Sequence, residues 1–159
     1  MRRTGLIKKM IKQHIQNLLQ NLRPYDFSNN ERLRLGSEYD GGYVLLDKGL
    51  EDVEVIYSYG VGTNSDFELI FCESYKAIAR LYDHTVDEAP LENEFFHFSK
   101  EGVGPAQTSN CNTIENHIKG NGDSDKQLLL KMDVEGAEWD ILFHTPGSVL
   151  NLFNQIAIE

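Results

Sequence analysis

Apolar residues first recur at helical spacing. Ile7, Met10, Ile11, Ile15, Leu18, Leu19 and Leu22 mark one face, and Pro24 ends the run. That spacing predicts an amphipathic helix of about four turns over 1–24. From residue 25 to 159 the pattern changes to short apolar runs alternating with helical ones. Val53–Tyr59 reads as a strand from its β-branched and aromatic content. The segment Tyr43–Leu46, after a Gly-Gly turn, reads as a shorter one. Ser65-Asp66-Phe67-Glu68 fits a capping box, and Phe67, Ile70, Phe71, Tyr75 and Ile78 continue at helical spacing. Arg80–Asp83, Phe95–Phe98, Leu128–Asp133 and Ile156–Ile158 read as further strands. Helices are expected over Asn112–Lys119 and from Gly136 to Phe143, with a polar loop over Gly120–Lys126. Apolar strands spaced by helices predict an α/β domain, a mostly parallel sheet with helices on both faces.

Composition narrows the classes. The chain has 159 residues, 40% of them hydrophobic and 25% charged, which excludes a disordered or fibrous polypeptide. No run approaches the ~18 consecutive apolar residues of a membrane span. Two cysteines, Cys72 and Cys111, are too few for a disulfide scaffold or a four-thiolate zinc site, and are expected to be reduced and buried. A cytoplasmic location is expected. The net charge of −10 argues against nucleic acid as a partner. That average hides a division: residues 1–23 carry six basic side chains and no acid, whereas the rest carries nine basic and 25 acidic ones. The basic helix suits either contact with an anionic surface, a membrane at its periphery or a nucleic acid, or packing on its own acidic domain.

Candidate chemistry gathers at three strand ends, the place where open α/β sheets bind ligands. Tyr59-Gly60-Val61-Gly62-Thr63-Asn64-Ser65 joins a strand to a helix start, so Gly60, Gly62, Thr63 and Asn64 are candidates to cradle a ligand. The same residues also read as a plain glycine turn. A dinucleotide fingerprint wants a third glycine, and Ser65 stands in its place. Asp83 follows Gly60 by 23 residues, close to the offset at which a carboxylate accepts ribose hydroxyls, though a solvated loop acid reads the same way. His84, beside it, is a candidate to line the same crevice. At the third end, Asp133 and Glu135 are two apart and face the same way if extended. Glu135 and Glu138 are equally explained by the macrodipole of the next helix. Asp133 is not, and it is the first candidate for a general base, with Glu135 second and His84 third. Two carboxylates alone do not make a metal site.

Asp40-Gly41-Gly42-Tyr43-Val44, Tyr57-Ser58-Tyr59-Gly60-Val61-Gly62, Ser65-Asp66-Phe67-Glu68, Tyr82-Asp83-His84-Thr85-Val86-Asp87 and Leu130-Lys131-Met132-Asp133-Val134-Glu135-Gly136-Ala137-Glu138-Trp139 occur in that order. Together, over roughly residues 33–159, they resemble the S-adenosylmethionine-dependent methyltransferases of the FkbM-like, DGGY-containing group. The resemblance implies a Rossmann-like fold and O-methylation of a small molecule or glycan. It implies that Gly60, Gly62 and the turn after them hold the methionine end of the cofactor, that Asp83 binds the ribose, and that Asp133 lies near the sulfonium and the acceptor. Tyr43 is a possible acceptor contact. Such enzymes build about seven strands, so a chain ending on what counts as the fifth is expected to lack the last strands. Two other readings stay open, a nicotinamide-dependent oxidoreductase and a non-catalytic cofactor-binding or interaction module.

Overall fold

The structure, a computed structural model, describes residues 31–159. The basic helix expected over 1–24 lies outside the described residues. Nine strands and four helices follow: β1 (Arg32–Gly36), β2 (Gly42–Leu46), β3 (Val55–Tyr59), α1 (Asp66–Tyr75), β4 (Ile78–Tyr82), β5 (Phe96–Ser99), β6 (Gly102–Val103), β7 (Cys111–Asn112), α2 (Ile114–Asn121), β8 (Leu128–Met132), α3 (Glu138–His144), α4 (Gly147–Leu150) and β9 (Phe153–Ile158).

Five of the strands form one parallel sheet in the order β5-β4-β3-β8-β9. The domain is α/β and Rossmann-like, as the alternation of apolar runs predicts. The chain builds outward from β3 to β5, then returns to place β8 and β9 on the other side of β3. The strand order therefore reverses between β3 and β8, and the crevice for a ligand opens at their carboxyl ends.

Side chains alternate across each strand, so the two faces carry different cores. Ile56, Ala79, Leu81, Leu129 and Ala157 face α1 and the β1–β2 hairpin, packing on Leu35, Leu45, Phe67 and Phe71. Val55, Tyr57, Tyr59, Leu128, Leu130 and Met132 face α2 to α4, with Ile114, Ile118, Ile141 and Val149. The apolar strand β8 is buried along its whole length, as a central parallel strand must be.

Several boundaries depart from the sequence expectation. β1 is a strand that the pattern of Arg32-Leu33-Arg34-Leu35 concealed, because its outer face is charged. Helix α1 ends at Tyr75, and Ile78 belongs to β4, since Lys76 adopts the left-handed conformation that stops the helix. The polar segment from Gly120 starts inside α2, which runs on to Asn121 before Gly122 terminates it. The capping box is also not formed. Asn64 Oδ1 accepts the Asp66 N–H at 2.9 Å instead of Ser65, and Glu68 turns into the core.

Candidate functional site

The reversal between β3 and β8 draws two backbones together. The Asp133 N–H donates to the Tyr59 carbonyl at 3.0 Å, and the Gly60 N–H donates to the Tyr82 carbonyl at 3.0 Å. Gly60 has φ +77°, and a Cβ there would stand 1.7 Å from the Asp133 carbonyl oxygen. Only glycine fits. Gly62, at φ +54°, has nothing within 4 Å of a notional Cβ and faces open space. The loop thus leaves a cleft of about 910 Å³ over the ends of β3, β4 and β8. Gly60, Gly62, Thr63, Asn64, Asp83, His84, Asp133, Glu135 and Tyr43, all named from sequence, line it together.

Asp83 is buried, not a solvated loop acid. Its Oδ2 accepts the Gly62 N–H at 2.9 Å, and Oδ1 accepts the Thr85 N–H at 2.7 Å and hydroxyl at 2.6 Å. Burial pushes this carboxyl up, but the hydrogen bonds from Thr85 and Gly62 outweigh it and hold it below the usual carboxylate range. Asp83 therefore ties the glycine loop to the end of β4 and keeps a negative charge against the cleft. His84 is exposed and packs against Gly102, where a Cβ would meet its Nδ1 at 2.6 Å.

Asp133 Oδ2 accepts the Tyr43 hydroxyl at 2.9 Å. Burial and the Asp133 charge hold the Tyr43 phenol far above its usual value, so Tyr43 is a fixed neutral donor. The Glu159 carboxyl, at the end of β9, is held above the usual range by hydrogen bonding to Asp133 and by its charge. Glu135 departs from expectation. Its φ of +56° is left-handed, not extended, so alternation does not align it with Asp133, and it sits exposed at the cleft rim. Glu138 is buried and accepts the Val134 N–H at 2.8 Å and the Gly136 N–H at 3.3 Å. It closes the turn after β8 in addition to favouring the helix start.

The segment Asp40-Gly41-Gly42-Tyr43 is set by Arg34, whose guanidinium donates to the carbonyls of Ser37, Glu38, Tyr39 and Gly42. Ser37 donates to Asp66 at 2.6 Å and accepts from Asn64 at 3.0 Å, which docks the hairpin loop on the start of α1. Gly41 meets Asn64 so closely that a Cβ would lie 2.6 Å from its Nδ2. One wall of the cleft is therefore this loop.

Sequence reasoning missed the floor. Lys131, 4% exposed, donates from Nζ to the Gly60 carbonyl at 2.9 Å and stands 3.9 Å from Asp133 Oδ2 and 5.2 Å from the Tyr43 ring centre. Glu68, also buried, accepts from the Ser58 hydroxyl. Burial pushes the Glu68 carboxyl up, against the Lys131 charge and the Ser58 hydrogen bond. A signal existed: a lone lysine inside an apolar central strand demands polar partners, because an unpaired buried charge is costly. Cys111 also lines the cleft and is half-buried, unlike the buried Cys72, whose thiol burial pushes up to about 12.

Among the described residues no cluster of metal-ligating side chains occurs, and no helix is long and apolar enough to cross a membrane. No family model matches the chain, and no curated protein or solved structure matches it either.

Proposed function

We propose that this chain is an S-adenosylmethionine-dependent methyltransferase domain, cytoplasmic and acting on an oxygen of a small molecule or glycan. The charge of the cleft carries the reading. Among the described residues, seven acidic side chains line it (Asp40, Glu68, Asp83, Asp133, Glu135, Glu138 and Glu159) against one ammonium, Lys131. A cofactor with a sulfonium and an amino group gains there, about 4 kcal/mol per opposite charge at 4 Å and an effective dielectric of ~20. A nicotinamide dinucleotide brings a diphosphate, which such a cleft repels. The helix start where that diphosphate would sit already carries Asp66 and Glu68 in its first turn.

The residues present fit the group. The open face of Gly62 admits a ligand against the backbone, and the loop from Gly60 to Asn64 would hold the amino-acid end. Asp83 retains lone pairs for ribose hydroxyls beside those that bind Gly62 and Thr85. S-adenosylmethionine, when bound, supplies an electrophilic methyl carbon. Asp133 orients the acceptor hydroxyl and takes its proton, with Tyr43 fixing the carboxylate by its hydrogen bond. The rims formed by Asp40–Tyr43 and Glu135 hold the acceptor in line, and such positioning contributes ~7–11 kcal/mol to displacement reactions.

Parallel calorimetric titrations with S-adenosylmethionine and with NAD test the reading. Binding of the first and no heat from the second is the expected result. NAD binding without an S-adenosylmethionine signal would replace it with an oxidoreductase.

A further inference from the structure

A cleft so rich in acid poses a problem for any ligand that also carries a carboxylate. In the free amino-acid form of the cofactor, that carboxylate accompanies the amino group to the glycine loop. Among the described lining residues, Asp133, Glu68 and their neighbours would repel it, and Lys131 is the one fixed cation. Lys131 belongs to β8 and points to the same face of the sheet as Ser58 and α1, beneath the Gly60–Gly62 turn. An ammonium has three donors, and the Gly60 carbonyl occupies one of Lys131's. Asp133 at 3.9 Å is too far for a hydrogen bond and takes no second donor. The side chain is held in place by burial, by the Gly60 carbonyl and by the face of Tyr43.

We propose that Lys131 is the carboxylate-recognition residue of the cleft: its spare N–H groups receive the α-carboxylate of the cofactor's amino-acid end. The assignment rests on the methyltransferase reading and adds a selectivity to it. Lys131 makes the cleft discriminate an intact amino-acid terminus from one lacking its carboxylate, while the surrounding acids serve the amino group and the sulfonium.

Two ligands that differ only in that carboxylate, S-adenosylmethionine and decarboxylated S-adenosylmethionine, test the assignment by calorimetry on the 159-residue chain. The wild type should bind the intact ligand at least about tenfold more tightly, the scale of a hydrogen bond between charged groups. Lys131→Met should keep its affinity for the decarboxylated ligand and lose the preference. Lys131→Arg should retain part of it, and covers the case in which Lys131→Met does not melt cooperatively. A wild type that binds both ligands equally overturns the proposal without any variant. So does a folded Lys131→Met that keeps the preference, or one that loses both ligands to the same degree. If the wild type binds neither ligand, the methyltransferase reading falls and the assignment with it.

Discussion

Strand β3 carries two polar networks on its opposite faces, and they are built on different terms. Toward α1, Ser58 meets Glu68, with Lys131 and Asp133 beyond them, and this set opens into the cleft. Toward α2, Tyr57 donates to Asp123 at 2.8 Å, Arg80 donates to the same carboxylate at 3.1 Å, and Asn121 donates to Tyr57 and Tyr82. His117 completes that set, with Nδ1 3.1 Å from the Tyr59 hydroxyl, Nε2 3.2 Å from Glu101, and its ring stacked on Tyr82 at 4.0 Å. The second network is closed: its groups answer one another, so it specifies packing. The first leaves donors and acceptors facing a cavity. Alternation along a single strand, tyrosine-serine-tyrosine, separates the structural network from the ligand-facing one.

The largest expected effect comes where the two walls of the cleft touch. Gly60→Ala places a methyl against the Asp133 carbonyl at a φ no alanine favours, and should cost at least about 3 kcal/mol in urea unfolding. Gly62→Ala has the same handedness of backbone without the clash. It should retain the fold at a cost of about 1 kcal/mol and lose ligand affinity instead. Equal destabilisation by the two would mean that the loop is not divided into a structural glycine and a ligand-facing one.

Next in size is the closed network. Asp123→Ala strips Arg80 and Tyr57 of their shared acceptor, at sites where side-chain exposure is 18% for Arg80 and 6% for Asp123. Partial solvation of Arg80 reduces the penalty below that of a fully buried pair, to about 2 kcal/mol. S-adenosylmethionine affinity, measured by calorimetry, should not move. A variant that loses affinity but not stability would show that this face, too, serves the cleft.

The same contrast explains what could be read from sequence. The parallel sheet was legible because its central strands, β3 and β8, are buried along their length, and the strand-end residues were legible because glycine and acid break that pattern. Gly60, Asp83 and Asp133 fall where such breaks predict. The hydrogen bonds that give those residues their roles join positions far apart in the chain, such as Tyr43 with Asp133 and Gly62 with Asp83. No local spacing encodes them. The facing of Glu135 was not legible, because two-residue alternation holds only while the backbone stays extended, and here it turns left-handed. His117 and Asp123 were not singled out, since a histidine in a helix and an acid in a polar segment resemble surface residues until the tyrosines close over them.

A smaller effect depends on pH. Burial holds the His117 imidazole below its ordinary value of about 6.5, against the pull of Glu101. Above that value folded and unfolded chains are both neutral at this site, and its full contribution to stability is present. As pH falls through it, the unfolded chain takes up a proton that the folded chain refuses, so stability declines until the depressed folded value is reached. Urea midpoints from about pH 7.5 to about pH 5.5 should fall more steeply for the wild type than for His117→Gln. Parallel slopes would place the imidazole in contact with solvent and the network open.

The smallest effect should come from the open network, and it is the sharpest test of the difference between the faces. Tyr43→Phe keeps the ring against Phe67, 5.1 Å away, and over Lys131, and removes only the hydroxyl that Asp133 accepts. Asp133 retains 23% side-chain exposure, so water can replace the lost donor. The variant should therefore lose no more than about 1 kcal/mol of stability. Its affinity for S-adenosylmethionine should stay within a fewfold of the wild type, because Tyr43 fixes the base and not the ligand. If this deletion cost more than Asp123→Ala, the cleft side would be the rigid, water-excluding network, and the assignment of the two faces would have to be exchanged.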